Sequence, residues 1–550
     1  MPALIYQAIA DAFHAEGVDT LFVLTGDGNM HWEAAISAQQ GFRSFHVRHE
    51  HCACAMATAY AVSSFKVGVA SVTCGPGLTQ IMTALVAAVR ARVPLVVFAG
   101  ESPMHASWYN QHLDQAPLVA ATGAHYIAAH SPKRILAQVQ EAFYVARTKR
   151  MPVVLAVPLD LQQQMLDGAA PYVPSIDMIP DVGPMVPHPA YLEKAAALVD
   201  AAQRIVVVGG RGAVLSGAQA ACEAFADQAG ALLASTLPVR GLFDHSPWSL
   251  GIAGGFSHDV AREKFTEADL VIAVGASLTH HTVDGGQLFP TAKVIQIDPE
   301  PEGIRQGRKG ADFHLRADAT EGLQALLHAT KPKPNDAAWR NPDLAQRMAG
   351  PADTAAYPAE PGVHDPRDVI AALDAAIPRD WEIVNSSGHC SYFSAQMRGR
   401  AAEHFFALRE FGAIGNGLSY AIGVAAAKPG RPVVLIDGDG GLLMHVQELE
   451  TVQRYGLPLL ICILNDGAFG SEIHKLRADG LSDHGAIFGR GDLARLSQGF
   501  GLRGAAVHDL ARLPGLVDAH RTSGMAELWD FPVSDRVMSP VMRKLVARRK

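Results

Sequence analysis

Two aspartates placed at the ends of successive strands are the first residues that could do chemistry. Gly438-Asp439-Gly440 closes the apolar run Pro432-Val433-Val434-Leu435-Ile436 and leads into Gly441-Leu442-Leu443-Met444. Asp466 follows Asp439 by 27 positions, after a second apolar run from Leu457 to Leu464, within Asn465-Asp466-Gly467-Ala468-Phe469-Gly470. Two carboxylates delivered this way suit Mg²⁺, which keeps much of its coordination shell for phosphate oxygens and water. The glycines let backbone approach a phosphate closely, and a helix start offers N–H groups to an anion. A lone Gly-Asp-Gly is usually a turn, whereas the two motifs in succession after buried strands carry a stronger signal for a cation shared with phosphate oxygens.

The elements that must position these residues fall into three α/β blocks. Strand-like runs at residues 20–24, 67–72, 94–99 and 152–157 alternate with helical stretches in the first, predicted over 1–170. Runs at 204–210, 270–274 and 293–298 mark the second, predicted over 190–330, and the third is predicted over 365–550. Short apolar strands alternating with amphipathic helices predict parallel sheets covered on both faces, so the fold class is α/β with three doubly wound domains. Proline-bearing polar stretches, Pro171–Pro189 and Lys331–Glu360, read as linkers. The first and third blocks share a coarse similarity of length and alternation.

Composition narrows the function classes. The chain has 550 residues, 49% of them hydrophobic, enough for several cores, and its formal charge of −8 argues against a nucleic-acid surface. Its one basic cluster, Arg543-Lys544 with Arg548-Arg549-Lys550, reads as a solvated helix end. No basic leader precedes an apolar core at the start, and no apolar run reaches the roughly 18 residues that span a membrane. Six cysteines in 550 residues fit a reducing compartment, and a cytoplasmic location is expected. Cys52 and Cys54 read as buried free thiols on a helix rather than metal ligands.

Four further motifs stand in order with the aspartate pair. They are Arg48-His49-Glu50 ahead of an alanine-rich helix, Thr73-Cys74-Gly75-Pro76-Gly77 after a strand, Ser387-Gly388-His389-Cys390, and Phe411-Gly412-Ala413-Ile414-Gly415-Asn416-Gly417. Each has a plain reading on its own: a dipole-stabilised acid, a tight turn, a loop and a core isoleucine. Together, over nearly the whole chain, they resemble the three-domain thiamine diphosphate enzymes of the 2-oxo acid decarboxylase and acetolactate synthase-like group. The resemblance implies a pyrimidine-binding domain, a central domain and a diphosphate-binding domain.

It also implies roles. Glu50 would bond N1′ of the aminopyrimidine, Gly75 would lie near that ring, the Gly412 carbonyl would take the 4′-amino group and Ile414 would hold the cofactor bent. Gly388, His389, Cys390, Gly438, Gly440 and Gly441 would hold the diphosphate. Asp439, Asp466 and the Ala468 carbonyl would bind Mg²⁺, with Asp466 standing where the group usually has asparagine. Asp27, in Gly26-Asp27-Gly28-Asn29, and Glu472 match the acids of the decarboxylase branch. That branch's His-His pair is missing from Trp108–Gln115, where Gln111 looks like the synthase branch; His112 in this stretch and His31 far upstream could supply the missing proton donors. His280-His281 could project from the central domain. The activity implied is a lyase, a non-oxidative decarboxylase or carboligase acting on a 2-oxo acid or 2-hydroxyketone through a thiazolium-bound enamine. A synthase-like transferase and a flavin-dependent oxidase are the alternatives. FAD is not favoured, because the synthase branch's Arg-Phe-Asp-Asp-Arg stretch is replaced by Ser277-Leu278-Thr279-His280. The active site would form between subunits of a homodimer or homotetramer.

Overall fold

The computed structural model describes residues 3–166, 171–301 and 304–547; the expected domain limit at 170 and the basic residues Arg548, Arg549 and Lys550 lie outside them. Three six-stranded sheets, parallel throughout, follow one another along the chain. The first holds β1 (Thr20–Val23), β2 (Arg43–His46), β3 (Gly68–Val72), β4 (Leu95–Glu101), β5 (His125–Ala128) and β6 (Pro152–Pro158), in the order β2-β1-β3-β4-β6-β5. The second holds β7 (Ile205–Gly209), β8 (Leu232–Ser235), β9 (Ser249–Ile252), β10 (Leu270–Val274), β11 (Lys293–Asp298) and β12 (Phe313–Arg316), in the order β9-β8-β7-β10-β11-β12. The third holds β13 (Glu382–Asn385), β14 (Phe405–Ala407), β15 (Val433–Gly438), β16 (Leu459–Asn465), β17 (Arg503–Ala506) and β18 (Glu527–Pro532), in the order β14-β13-β15-β16-β18-β17. The first and third sheets therefore have the same topology, and the coarse likeness of their sequences is a likeness of fold. The central sheet has the other common doubly wound order, that of dinucleotide-binding folds.

Alternation along each strand sends side chains to two separate cores. In the first sheet Phe22, Ala70, Val97 and Val154 face one core, while Leu21, Val23, Val69, Phe98 and Val153 face the other. The first of these cores does not stop at the domain: it continues through Leu418, Ile422, Val433, Leu435 and Ile461 of the third. The join is a pair of helices, Glu50–Ser64 and Gly417–Ala427, each buried along nearly its whole length. A methyl on Gly423 would sit 2.3 Å from the Met56 carbonyl oxygen and 2.8 Å from Ala59 Cβ, so only glycine permits this backbone approach. Cys52 and Cys54 are free and fully buried on the first helix, as expected.

Two expectations need correction. The stretch 331–360 is not a free spacer. Trp339 is buried and donates to the Ile205 carbonyl at 3.3 Å, while Arg340 donates to the Ala226 and Ala231 carbonyls at 2.7 Å, strapping the segment to the central domain. Nor are Arg543 and Lys544 merely solvated. Arg543 pairs with Asp353 at 2.6 Å and Lys544 with Asp284 at 2.8 Å, because the helix Pro540–Ala547 lies against acidic residues of the strap and the central domain.

Candidate active site

In the third sheet β13 and β15 are neighbours, yet the chain leaves them in opposite directions, towards β14 and β16. Such a switch point opens a crevice at the carboxyl ends of the strands. Residues 387–390 after β13, 437–441 at the end of β15, and 466 and 468–472 after β16 line it, with Ile414 as one wall. Gly388, His389, Cys390, Ile414, Gly438, Asp439, Gly440, Gly441, Asp466, Ala468 and Glu472 thus meet in one pocket. Gly412 stands outside it, two residues before Ile414 in a turn where Phe411 and Gly412 both take positive φ (77° and 69°). The helix that Asp439 opens has only six residues, so its aligned dipole is small and its free N–H groups carry the anion-binding capacity.

Three carboxylates crowd the pocket. Asp437, unforeseen from sequence, is fully buried, and its Oδ1 accepts from the Gly438 N–H at 2.8 Å. Burial pushes its pKa up to about 7. Asp439 accepts from the Gly467 N–H at 2.8 Å and burial pushes it up to about 6. Burial and the facing Asp439 charge hold Asp466 well above the carboxylate range. Like charges gathered in a dry site resist ionisation together, and a hard cation removes the conflict. The donors fit Mg²⁺. The Ala468 strand bridge uses the Phe469 N–H to Ala486 O and the Phe488 N–H to Gly467 O, and among the described residues no N–H donates to the Ala468 carbonyl. No cluster of three or more His, Cys, Asp or Glu side chains is arranged as a metal cage among the described residues. Two carboxylates and a carbonyl leave about half an octahedral shell to diphosphate and water.

His389 and Cys390 are both neutral. Burial presses His389 down to about 3, and its Nε2 accepts from the Ser539 N–H at 3.0 Å. The proton therefore sits on Nδ1, beside Gly470, whose added methyl would be 3.3 Å away. Burial raises the Cys390 thiol well above its ordinary value, and Sγ donates to the Ser387 carbonyl at 3.6 Å. Glu472 lines the rim, half-exposed and paired with Lys475 at 3.0 Å.

The first sheet has its own switch point between β1 and β3. Gly75 (φ 58°) leaves no room for a side chain, since a methyl would lie 2.2 Å from the Gln111 carbonyl. Gln111 Oε1 accepts from Cys74 Sγ at 3.3 Å. Asp27 is exposed on the neighbouring loop, and with Cys74 it lies close enough to Tyr109 that, after burial, both push the phenol up to about 12. Glu50, half-buried at the start of its helix, faces Gly77, where an added methyl would be 3.6 Å from Oε1. These residues form a second cluster. His112 is exposed and bonds Ser102 at 2.8 Å; the His31 ring packs 5.7 Å from Tyr6, and its buried Nδ1 has no hydrogen-bond partner among the described residues. None of Asp27, His31, Glu50, Gln111 and His112 lines the pocket of Asp439, whose walls all come from residue 366 onwards.

Within the chain the two clusters are tied together. His51, next to Glu50, contacts Asn416 Oδ1 at 2.5 Å, and its ring stacks on His445 at 4.8 Å. Burial lowers His51 to about 4, so the contact is that of a neutral imidazole. The central domain brings Phe256 and His281 near the half-buried Arg409: its guanidinium lies 4.7 Å over the Phe256 ring. Arg409 has no ion pair among the described residues, and its charge is felt at both Cys390 and His281. A lone arginine after a short strand gave no sequence signal. In the central sheet, the glycines after β7 pack the two central turns together: a methyl on Gly210 would be 2.3 Å from the Gly275 carbonyl, and one on Gly212 would be 2.6 Å from Gly275 Cα. That contact accounts for both glycines without a nucleotide.

Three α/β domains, two of identical topology carrying complementary clusters at their switch points, define a cofactor-dependent enzyme class, and comparison with known proteins gives its family. Residues 5–124 match the thiamine pyrophosphate enzyme N-terminal TPP binding domain, 192–326 the central domain and 386–525 the C-terminal TPP binding domain. The chain belongs to the three-domain thiamine pyrophosphate enzymes, acetolactate synthase-like group. It is 29% identical to a probable acetolactate synthase large subunit of Methanocaldococcus jannaschii, over 84% of this chain and 80% of that protein. It is 28% identical to the acetolactate synthase large subunit of Parasynechococcus marenigrum, over 94% and 87%. It is 29% identical to the chloroplastic acetolactate synthase 1 of Oryza sativa subsp. japonica, over 84% and 72%. Among the described residues no helix is long and apolar enough to cross a membrane.

Proposed function

We propose that this thiamine diphosphate enzyme is a Mg²⁺-dependent lyase that cleaves the bond next to the carbonyl of a 2-oxo acid or 2-hydroxyketone and passes the carbon fragment to a proton or a second carbonyl. The observation that carries this reading is the single pocket in which Asp439, Asp466, the Ala468 carbonyl and the 387–390 and 438–441 turns converge. When bound, thiamine diphosphate supplies an electron sink for the carbanion left by cleavage. Asp439, Asp466 and the Ala468 carbonyl would hold the cation. The His389 Nδ1–H and the backbone N–H groups of Gly440 and Gly441 would receive the diphosphate. Ile414 would shape the wall, and the Gly412 carbonyl would accept the amino group. Glu50 would exchange a proton at the pyrimidine nitrogen. Asp27, His112, His31 and Glu472 would serve the reacting carbon as acid–base groups, Gln111 would hydrogen-bond the substrate, and Arg409 would draw the substrate carboxylate.

Because the Glu50 cluster lies outside the Asp439 pocket of its own chain, the reading requires a homodimer or homotetramer in which one subunit's first domain completes its partner's third. The relatives' names favour a second reading, a synthase-like transferase that joins the fragment to another carbonyl. A flavin-dependent oxidase is the third, and purified protein carrying no flavin absorbance would remove it. The deciding experiment measures CO₂ release with Mg²⁺ and thiamine diphosphate across short, branched and aromatic 2-oxo acids, with Glu50→Gln as control. Release lost in the control supports the lyase; ligated hydroxyketone as sole product supports the transferase. No reaction with any donor overturns both.

A further inference from the structure

A second cavity, of about 310 Å³, opens between the central and third domains. Residues from the 240–258 segment of the central domain, Ala345, Met348 and Ala349 of the strap, and residues 395–399 of the third domain line it. Three arginines, Arg240, Arg379 and Arg398, reach it against one carboxylate, Asp244. Two guanidiniums are committed. Arg240, 3% exposed, donates to Asp244 at 3.0 Å and to the Ala395 carbonyl at 2.8 Å. Arg379 donates to Asp374 at 2.5 Å and to the Arg398 carbonyl at 2.7 Å. The Arg398 guanidinium is different: it is half-buried, and among the described residues no acceptor lies within hydrogen-bonding distance. Burial and then the Arg240 charge press its pKa down, yet a guanidinium stays ionised at neutral pH. Asp244 and Asp374 offset part of that cost from a distance, but the fork itself makes no hydrogen bond among the described residues, and an oxyanion has room to enter beside it.

The neighbouring groups are set to donate. Ser246 Oγ accepts from the Trp248 N–H at 3.3 Å and Ser249 Oγ from the Gly251 N–H at 3.2 Å, which leaves both hydroxyl hydrogens for the cavity. His258 is held neutral between the Val260 N–H and the Gly350 carbonyl and adds no negative charge. We propose that this cavity binds a compact oxyanion, a phosphate ester or a small dicarboxylate, through the Arg398 fork and the Ser246 and Ser249 hydroxyls. Guanidinium forks take planar and tetrahedral oxyanions bidentately. The volume lies at the low end of ligand pockets, too small for a dinucleotide. The short helix Cys390–Ser394 has one end in the Asp439 pocket and the other against this cavity, so an anion seated here bears on both.

The test uses holoenzyme saturated with thiamine diphosphate and Mg²⁺, so that the Asp439 pocket is filled. Inorganic phosphate and succinate are titrated in separate calorimetric arms. One anion is expected to bind once per chain, and Arg398→Gln to weaken it about tenfold or more with cofactor affinity unchanged. Binding of phosphate alone assigns a phosphate ester; binding of succinate alone assigns a dicarboxylate. If Arg398→Gln fails to fold, Arg398→Lys, which keeps the charge and loses the fork, carries the same comparison. Saturable binding of neither anion, or equal affinity in a folded variant, overturns the proposal.

Discussion

The first and third domains use one strand order and place their chemistry at the same topological point, but they spend it differently. The third closes its crevice into a pocket with three desolvated carboxylates and a neutral histidine donor, a site that asks for a cation and an anion together. The first leaves Asp27 exposed and Glu50 half-buried on a face that nothing in its own chain covers with the Asp439 pocket. One topology thus supplies a crevice, and residue choice decides whether that crevice grips charge or waits for a facing surface.

The sharpest way to break this contrast is Glu50→Gln. If the first domain supplies the proton-exchanging acid, kcat falls about 10²–10⁴-fold while calorimetric cofactor affinity stays near normal. An unchanged kcat would show the first crevice to be scaffolding. Asp439→Ala should do the converse, weakening Mg²⁺–cofactor binding more than about 100-fold, beyond the loss usual for outer partners of a metal. Asp466→Ala should weaken it too; loss in the first variant alone would contradict the ligand pair. Acid tests the tie between the clusters. His51 has an ordinary pKa of 6.5 and a folded one of about 4, so the unfolded chain binds more protons in between. Stability is intact above that window and falls as pH drops through it, by up to roughly 3 kcal/mol for His51. His51→Gln should flatten part of the Tm-versus-pH profile. Gly423→Ala, forcing a methyl against the Met56 carbonyl, should cost about 1–3 kcal/mol in denaturant unfolding. Asp27→Asn should lower kcat less than Glu50→Gln, about tenfold, if His112, His31 or Glu472 can still deliver a proton, with steady-state kinetics as the measurement.

Sequence revealed the inner strands best. Runs such as Val153–Val157, Leu270–Val274 and Val433–Ile436 are apolar throughout because both faces of a central parallel strand are covered. The edge strands β2, β5, β9, β12, β14 and β17 escaped, because one side meets solvent: Arg43–His46 and Arg503–Ala506 carry no continuous apolar run. Among inner strands, Glu382–Asn385 and Glu527–Pro532 hid behind buried acids at their starts, and Leu232–Ser235 hid because its four residues, none β-branched, follow an alanine-rich helix. The third-domain site was legible because glycine and aspartate mark strand-to-helix turns. Asp437 was not, being a charged residue inside a strand whose apolar run stops at Ile436. Arg409 and Arg398 matter through residues far away in sequence, Phe256 and Arg240, which no local pattern records.

The helix pair that joins the first and third domains also has a consequence in time. One face of residues 52–61 is buried because Gly417–Ala427 lies on it, yet Gly423 is translated about 370 residues after Met56. At about 5–20 residues per second this is roughly 20–70 s of synthesis. For that interval the nascent first domain presents an apolar helix face with no native cover, so chain elongation rather than intrinsic folding speed sets how long it depends on chaperones.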